Sequence, residues 1–242
     1  MPVRYKPIPS PASLWYFSGM SNDFRAAQVH RLFARIARRY DLLNDVMTLG
    51  CHRYWKRRLI KLAGQPCVAL DLCCGTGDIA QRFRRRVVGV DFTVEMLQIA
   101  QARQPDGIWL RADALRLPFP DNSFDVVSIG YGLRNLANLE VGLREVYRVL
   151  RPGGKLLSLD FGKPDSTWWR KLFFAHLRFH LPWMGRWSCG DPDAYNYILA
   201  SLENYPAQRG VRQLMEAIGY RSCGYEEFFG GAMAINSGRK PS

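Results

Sequence analysis

The segment Val68-Ala-Leu-Asp-Leu-Cys-Cys-Gly-Thr-Gly-Asp78 constrains this chain more than any other. A short apolar run that ends in a Gly-x-Gly turn reads as a buried strand delivering its loop to a ligand. Gly75 and Gly77 let backbone approach that ligand with no Cβ in the way. The same theme then repeats. Strands are expected at 68–72, 87–91, 108–111, 124–129 and 155–161, with helices at 78–85, 94–103 and 138–150 between them. Strand–helix alternation predicts an α/β, doubly wound, mostly parallel sheet with helices on both faces. Continuous apolar runs fit strands covered on both sides.

At 242 residues the chain is expected to form one domain, 23–242. Residues 1–22, with Pro2, Pro7, Pro9 and Pro11, read as a flexible arm, and Met20 is an alternative start. Residues 23–40 and 54–63 carry apolar groups at helical spacing, the second run ending at Gly64 and Pro66. Further helices are expected at 194–203 and 211–218, and a closing pair of strands over 220–236. No apolar run reaches eighteen residues, so no membrane-spanning helix is expected. The six cysteines (51, 67, 73, 74, 189 and 223) lack zinc-type spacing and, with no signal peptide, read as reduced cytosolic thiols; no metal site is expected. A formal charge of +13 favours a polyanionic neighbour, nucleic acid or an anionic membrane face, beside the plainer reading of a basic surface.

The glycine loop alone leaves its ligand open, because Gly75, Gly77 and Ala80 also satisfy the dinucleotide fingerprint. Three features bear on the choice and together favour S-adenosylmethionine. Asp71, inside the strand, suits the amino-acid end of that molecule and would repel a pyrophosphate. Asp91 ends the second strand, where it can accept both ribose hydroxyls of either cofactor. Asp113 ends the third strand, placed to accept from an adenine amino group with the Ala114 amide nearby. Each acid alone fits a solvated strand end; their order makes the coincidence improbable.

With Phe124-Asp125 and Arg151-Pro-Gly-Gly154, these positions resemble the class I methyltransferases. The resemblance narrows at Tyr40-Asp-Leu-Leu-Asn-Asp-Val-Met-Thr-Leu-Gly-Cys-His-Arg-Tyr-Trp-Lys56, Gly130-Tyr-Gly-Leu-Arg-Asn135 and Tyr147-Arg-Val-Leu-Arg-Pro-Gly-Gly154. These motifs are similar to those of the UbiE/MenG family, which C-methylates polyprenylated quinols in menaquinone, ubiquinone or phylloquinone synthesis. The likeness runs from about Phe33 through Asp193-Ala-Tyr-Asn-Tyr-Ile to the Gly-Gly-Ala-Met-Ala segment. It implies a Rossmann-like seven-stranded fold with an N-terminal helical lid (23–64) and a substrate- or membrane-facing helical insertion (165–210). It also assigns cofactor contacts to Thr76, Asp91, Asp113 and Ala114. Three positions depart from the family: Gly130 where Ser is usual, Asp160-Phe-Gly162 for Glu-Phe-Ser, and Gly190-Asp191 for Asn-Asp. Gly130 leaves only backbone for the cofactor.

Methyl transfer to a ring carbon needs an ortho hydroxyl that is at least partly ionised, a proton acceptor and a cation beside the phenolate. Arg134 suits the cation, although a surface salt bridge is the plainer reading, and Asn135 suits orientation of the hydroxyl or a water. Tyr40, Asn44, Met47, His52, Trp55 and Tyr131 are expected around the lid and quinol pocket, with His52 equally suited to a helix start. Trp168 to Trp187 interleaves aromatics with Arg170, Lys171, Arg178 and Arg186. That stretch fits a helix at an anionic bilayer surface, an entrance for a polyprenyl tail, or a core-packing helix with a basic side. Together these features predict a cytoplasmic enzyme peripherally associated with the membrane, demethylmenaquinol being the first-choice substrate, and a homodimer is left open. A nucleic-acid methylase is the first rival, but Gly130–Asn135 stands where its Asn/Asp-Pro-Pro-Tyr/Phe would be. A non-catalytic scaffold is the second, opposed by the intact acids at 71, 91 and 113.

Overall fold

The computed structural model describes residues 22–189 and 196–242. Residues 1–21 of the arm, with Met20, and residues 190–195, with Gly190-Asp191 and Asp193-Ala-Tyr195, lie outside the described residues.

Among the described residues three helices precede the sheet: α1 (Asn22–Ile36), α2 (Tyr40–Thr48) and α3 (Cys51–Ala63). The sheet then builds from β1 (Val68–Leu72), β2 (Arg86–Asp91), α4 (Val94–Arg103), β3 (Ile108–Arg111), β4 (Phe124–Gly130), α5 (Leu139–Val149) and β5 (Leu150–Phe161). Next come α6 (Thr167–Cys189), α7 (Asn196–Asn204), α8 (Ala207–Ile218), β6 (Arg221–Phe228) and β7 (Met233–Arg239). All seven strands form one sheet in the order β3-β2-β1-β4-β5-β7-β6. β1 to β5 pair in parallel, and β7 runs antiparallel between β5 and β6.

Side-chain alternation along the strands builds a core on each face. Val126, Leu157, Leu159 and Ile235 pack with Trp55 and Leu59 of α3 and with Leu43 of α2. Val127, Ile129 and Leu156 point the other way, onto Leu143 and Val146 of α5 and Val211 and Met215 of α8. The helical expectations for α3, α5 and α8 rest on this spacing. Trp55 and Leu59, one turn apart, each contribute roughly 2–3 kcal/mol by burial. Tyr220 joins the second core and donates its hydroxyl to the Leu143 carbonyl at 2.9 Å.

Four of the departures from expectation have a visible cause. First, the helix expected over 78–85 is only a 3-10 turn at Ala80–Arg82. Backbone from Cys73 to Gly77 is committed to the ligand loop, and what remains before β2 is short and crowded with arginine, too little to nucleate a helix. The Trp109 indole packs in this region: a Cβ on Gly89 or Gly77 would meet its ring at 2.4 or 2.5 Å. Second, the helix expected over 23–40 breaks at a 3-10 turn, Ala37–Arg39, and α2 follows. Third, α3 begins at Cys51 rather than Tyr54, because Gly50 takes a left-handed φ of 76° and turns the chain there. Fourth, β5 starts at Leu150, so Pro152-Gly153-Gly154 lies within the strand, beside a register irregularity in the β4–β5 pairing.

Candidate functional site

The carboxyl ends of β1, β2, β3 and β4 open into a cavity of about 880 Å³, covered by α1 and the start of α2. Of the residues expected to hold cofactor, Gly75, Asp91, Asp113, Ala114 and Gly130 line it. Asp91 accepts the Gly75 and Thr93 amides, each at 2.8 Å, and thereby fixes the glycine loop against β2. Burial raises its carboxyl above the ordinary range against the pull of those amides. Asp113 accepts the Leu115 amide at 2.9 Å, which sets the carboxylate at the cavity wall. At Gly130 a Cβ would stand 2.3 Å from Ile79 Cδ1, so a serine here requires Ile79 to move.

Asp71, Thr76 and Gly77 do not reach the cavity. Asp71 is buried in the sheet opposite Ser128, whose hydroxyl donates to it at 2.7 Å. Burial pushes its carboxyl up to about 7, outweighing the Ser128 hydroxyl and the Ala80 amide. The side chain thus makes a strand-to-strand tie beneath the cavity wall. The Thr76 hydroxyl turns away from the cavity and donates to Asp41 of α2 at 3.0 and 3.1 Å. Gly77 backs onto Trp109.

A second cavity, about 30 Å³, lies under the lid between α1, α2 and the ends of β4 and β5. Phe33, Tyr40 and Tyr131 line both spaces and form the wall between them. Asn44, Met47 and Arg134 line only the smaller one, and Asn135 only the larger. Two successive residues of one 3-10 turn, Leu133–Asn135, thus face the two cavities. Arg134 is buried, so the surface-salt-bridge reading gives way to a buried pair with Asp160 of β5. Its guanidinium also donates to the Tyr131 carbonyl at 3.2 Å and stands 4.8 Å from the Phe161 ring centre. Asn135 donates to that same carbonyl at 3.2 Å.

The Asn44 amide nitrogen and the Tyr131 hydroxyl, both at the smaller cavity, are buried without a hydrogen-bond partner. Such groups are costly unless something polar meets them. Burial raises the Tyr131 phenol well above its ordinary value and the Tyr40 phenol to about 12, so both stay protonated as donors.

His52 and Trp55 line neither cavity. His52 is buried with Nε2 on Asp45 at 2.8 Å, and burial lowers its pKa despite that partner. Trp55 packs on Phe228 and Phe229. Sequence reasoning missed Asp41, Phe33, Lys56 and the Asp160 partner of Arg134. Lys56 is buried against Asp78 at 2.7 Å. It missed two strained residues as well: Cys73 and Tyr131, the first residues after β1 and β4, have φ of 55° and 60°. Left-handed backbone at a non-glycine residue is unusual, and both occur on the cavity wall. Among the described residues there is no cluster suited to a metal ion and no helix long and apolar enough to cross a membrane.

A parallel sheet closed by an antiparallel β7, with acids at the ends of β2 and β3 facing one cavity, defines a Rossmann-like class I methyltransferase. Solved structures agree on the fold. A SAM-dependent methyltransferase of Thermotoga maritima, described as a possible histamine N-methyltransferase, superposes with a TM-score of 0.66 at 17% identity, covering 87% of this chain and 99% of that one. Haemonchus contortus phosphoethanolamine N-methyltransferase 2, in complex with S-adenosyl-L-methionine, gives 0.57 at 17% identity, covering 78% of this chain and 53% of that one.

The family follows from sequence. Residues 21–240 match the model of the ubiE/COQ5 methyltransferase family. The ubiquinone/menaquinone biosynthesis C-methyltransferase UbiE of Rubrivivax gelatinosus is 37% identical over 97% of this chain and 95% of its own length. The UbiE of Hahella chejuensis is 38% identical over 89% and 92%. The chain belongs to the ubiE/COQ5 methyltransferase family. It is an S-adenosylmethionine-dependent C-methyltransferase of the family that serves quinone biosynthesis.

Proposed function

We propose that the enzyme C-methylates the ring of a polyprenylated quinol, demethylmenaquinol first among the candidates and the equivalent ubiquinone or phylloquinone precursor next. The observation that carries this reading is the small apolar chamber beside the cofactor cavity, which ends on one buried cation and two unpartnered donors. S-adenosylmethionine, when bound, supplies an electrophilic methyl group on a sulfonium. Asp91 and Asp113 suit its ribose and adenine, and the Gly75 backbone lies alongside. Phe33, Tyr40 and Phe161 suit the flat face of an aromatic ring. Asn44 and Tyr131 offer hydrogen bonds to a ring hydroxyl. That hydroxyl has an ordinary pKa of about 10, and the Arg134 guanidinium stabilises the phenolate that forms as its proton leaves. Asn135, on the cofactor side, suits a water that carries the proton out. The smaller cavity has room for about one water, so admitting a ring requires the α1–α2 wall to move.

We place the enzyme in the cytoplasm, held peripherally on an anionic membrane surface from which it draws its substrate. The outer side of α6 supports this: Trp168 and Phe179 are 73% and 77% exposed, and Leu172, Arg170, Lys171 and Arg178 are exposed with them. Contacts extend the patch. Trp169 donates to the Phe229 carbonyl at 2.7 Å, and Tyr54 lies against Phe228. Leu42, Val46 and Leu49 form an exposed apolar stripe on α2 and its C-cap, Leu49 being 90% exposed. Flotation with vesicles containing anionic phospholipid is expected to carry the enzyme upward; recovery only at the bottom of the gradient counts against this placement.

The decisive experiment offers labelled S-adenosylmethionine with demethylmenaquinol, the ubiquinol precursor and bulk RNA in parallel. Label on the quinol ring carbon is expected, and label in RNA alone overturns the reading. In Arg134→Ala, turnover should fall about 100-fold or more while cofactor affinity changes little. Equal losses in both would remove Arg134 from the chemistry.

A further inference from the structure

Two neighbouring residues of the glycine loop are held by two carboxylates from different parts of the fold. The Gly75 amide donates to Asp91 at the end of β2, at 2.8 Å. The Thr76 hydroxyl donates to both oxygens of Asp41, in the first turn of α2, at 3.0 and 3.1 Å. Asp41 is held in turn by Arg103, from the last turn of α4, at 2.5 Å. None of Asp41, Thr76 and Arg103 lines either cavity.

What they hold does line them. Gly75 is on the cofactor wall, and Tyr40, the residue before Asp41, is in the partition between the cavities. A Cβ placed on Gly75 would lie 3.8 Å from Tyr40 Cε1, so the ring stands beside the loop with room for no more than a methyl group between them. One turn further along α2, Asn44 and then Met47 line the ring chamber. A shift of the glycine loop therefore reaches the chamber through a short, bonded path: Thr76, Asp41, then the α2 helix as a unit.

We propose that Asp41 is a positioning residue that couples the cofactor loop to the lid, so that binding of the methyl donor orders the α2 wall of the ring chamber. The pairing with Thr76 is a charge-assisted hydrogen bond across elements far apart in sequence, and Arg103 keeps the carboxylate aimed at it. By linkage, whatever α2 gains when cofactor fixes the loop is returned as tighter cofactor binding. A chamber shaped only when donor is present fits an enzyme whose acceptor must meet a loaded cofactor. The proposal rests on the quinol reading only for the name of what enters the chamber, because its test uses the cofactor product alone.

The test is a double-mutant cycle on S-adenosylhomocysteine affinity, measured by calorimetry, with amide hydrogen exchange of residues 40–48 recorded with and without that compound. Asp41→Ala and Thr76→Val should each weaken binding on the order of tenfold, and the double variant should be no weaker than either single one. In the native protein, S-adenosylhomocysteine should slow exchange across 40–48; both single variants should lose that response. Thr76→Ser and Asp41→Asn keep a hydroxyl and an acceptor oxygen, and should retain most of the response. These two conservative variants keep the test sharp if the larger changes impair folding. Losses that multiply in the double variant overturn the proposal. So does exchange across 40–48 that ignores S-adenosylhomocysteine in the native protein, or Thr76→Ser behaving as poorly as Thr76→Val.

Discussion

Raising the pH from 5 to 8.5 should destabilise this protein through one buried side chain, Asp71. Burial in the sheet pushes its carboxyl up to about 7, against about 4 in an unfolded chain. A folded-state pKa raised in this way means the native protein binds the proton more tightly. Its stabilising effect is complete below about pH 4 and is lost as pH rises through 7. Three pH units at about 1.4 kcal/mol each give about 4 kcal/mol in all, of which about 3 kcal/mol falls between pH 5 and 8.5. For a chain of this length that is a fall in Tm of roughly 6–12 °C. Asp45 works in another window: hydrogen bonds from Arg53 and His52 hold it down to about 2, so its contribution is lost only on acidification below about 4. Asp71→Asn removes the one titration while offering Ser128 an acceptor oxygen still. Thermal unfolding of both proteins at half-unit steps, with the variant curve subtracted from the native one, isolates Asp71 from every other group. The difference should slope across the window by the stated amount. Parallel curves would refute the argument and return Asp71 to a solvated, ionised position.

The buried pair on β5 gives a second expectation. Asp160→Ala leaves the Arg134 guanidinium without its carboxylate, and urea denaturation should show a loss of about 3–5 kcal/mol; a loss under about 1 kcal/mol would mean that water or another acceptor serves as well. Gly77→Ala should destabilise by about 2–3 kcal/mol, since Gly77 has a φ of 79° and the new Cβ would meet the Trp109 ring at 2.5 Å. Trp109→Leu opens that contact, so the combined variant should lose less than the two single losses added together, again by denaturation.

The sheet was legible because its strands are short apolar runs with abrupt ends. β1, β3 and α4 lie where the residue pattern puts them, and β2 and β4 differ by a single residue at one end. Asp91 and Asp113 were legible for the same reason: once a strand end is fixed, the residue at that end faces the crevice. Asp71 was not, because its orientation depends on a neighbour in another strand, Ser128, and no local pattern encodes that register. Arg134 and Asp160 are 26 residues apart and meet only when β4 and β5 pair. α2 escaped for a different reason. Leu42 and Val46 face outward while Leu43 and Met47 face in, so the helix shows no single apolar stripe. The 78–85 segment carried plausible helix formers, and only the demands of the loop before it and the strand after it kept it from forming one.

That missing helix bears on the choice between cofactors left open by the glycine loop. A dinucleotide-binding loop of the Gly-x-Gly type leads into a helix whose aligned peptide dipoles present about half a positive charge to the pyrophosphate. Here the loop leads into three residues of 3-10 turn, Ala80–Arg82, too short to sum dipoles to that value. Just past the loop, the Asp78 carboxylate is shared by Lys56 and Arg82. The loop therefore offers its ligand no summed helix dipole, while Asp91 and Asp113 set carboxylates on a cavity wall that Glu95, Arg31, Arg35 and Arg111 also line. A diphosphate would find no helix N-terminus at the loop to receive it, whereas hydroxyl and amino donors would meet carboxylate acceptors at Asp91 and Asp113.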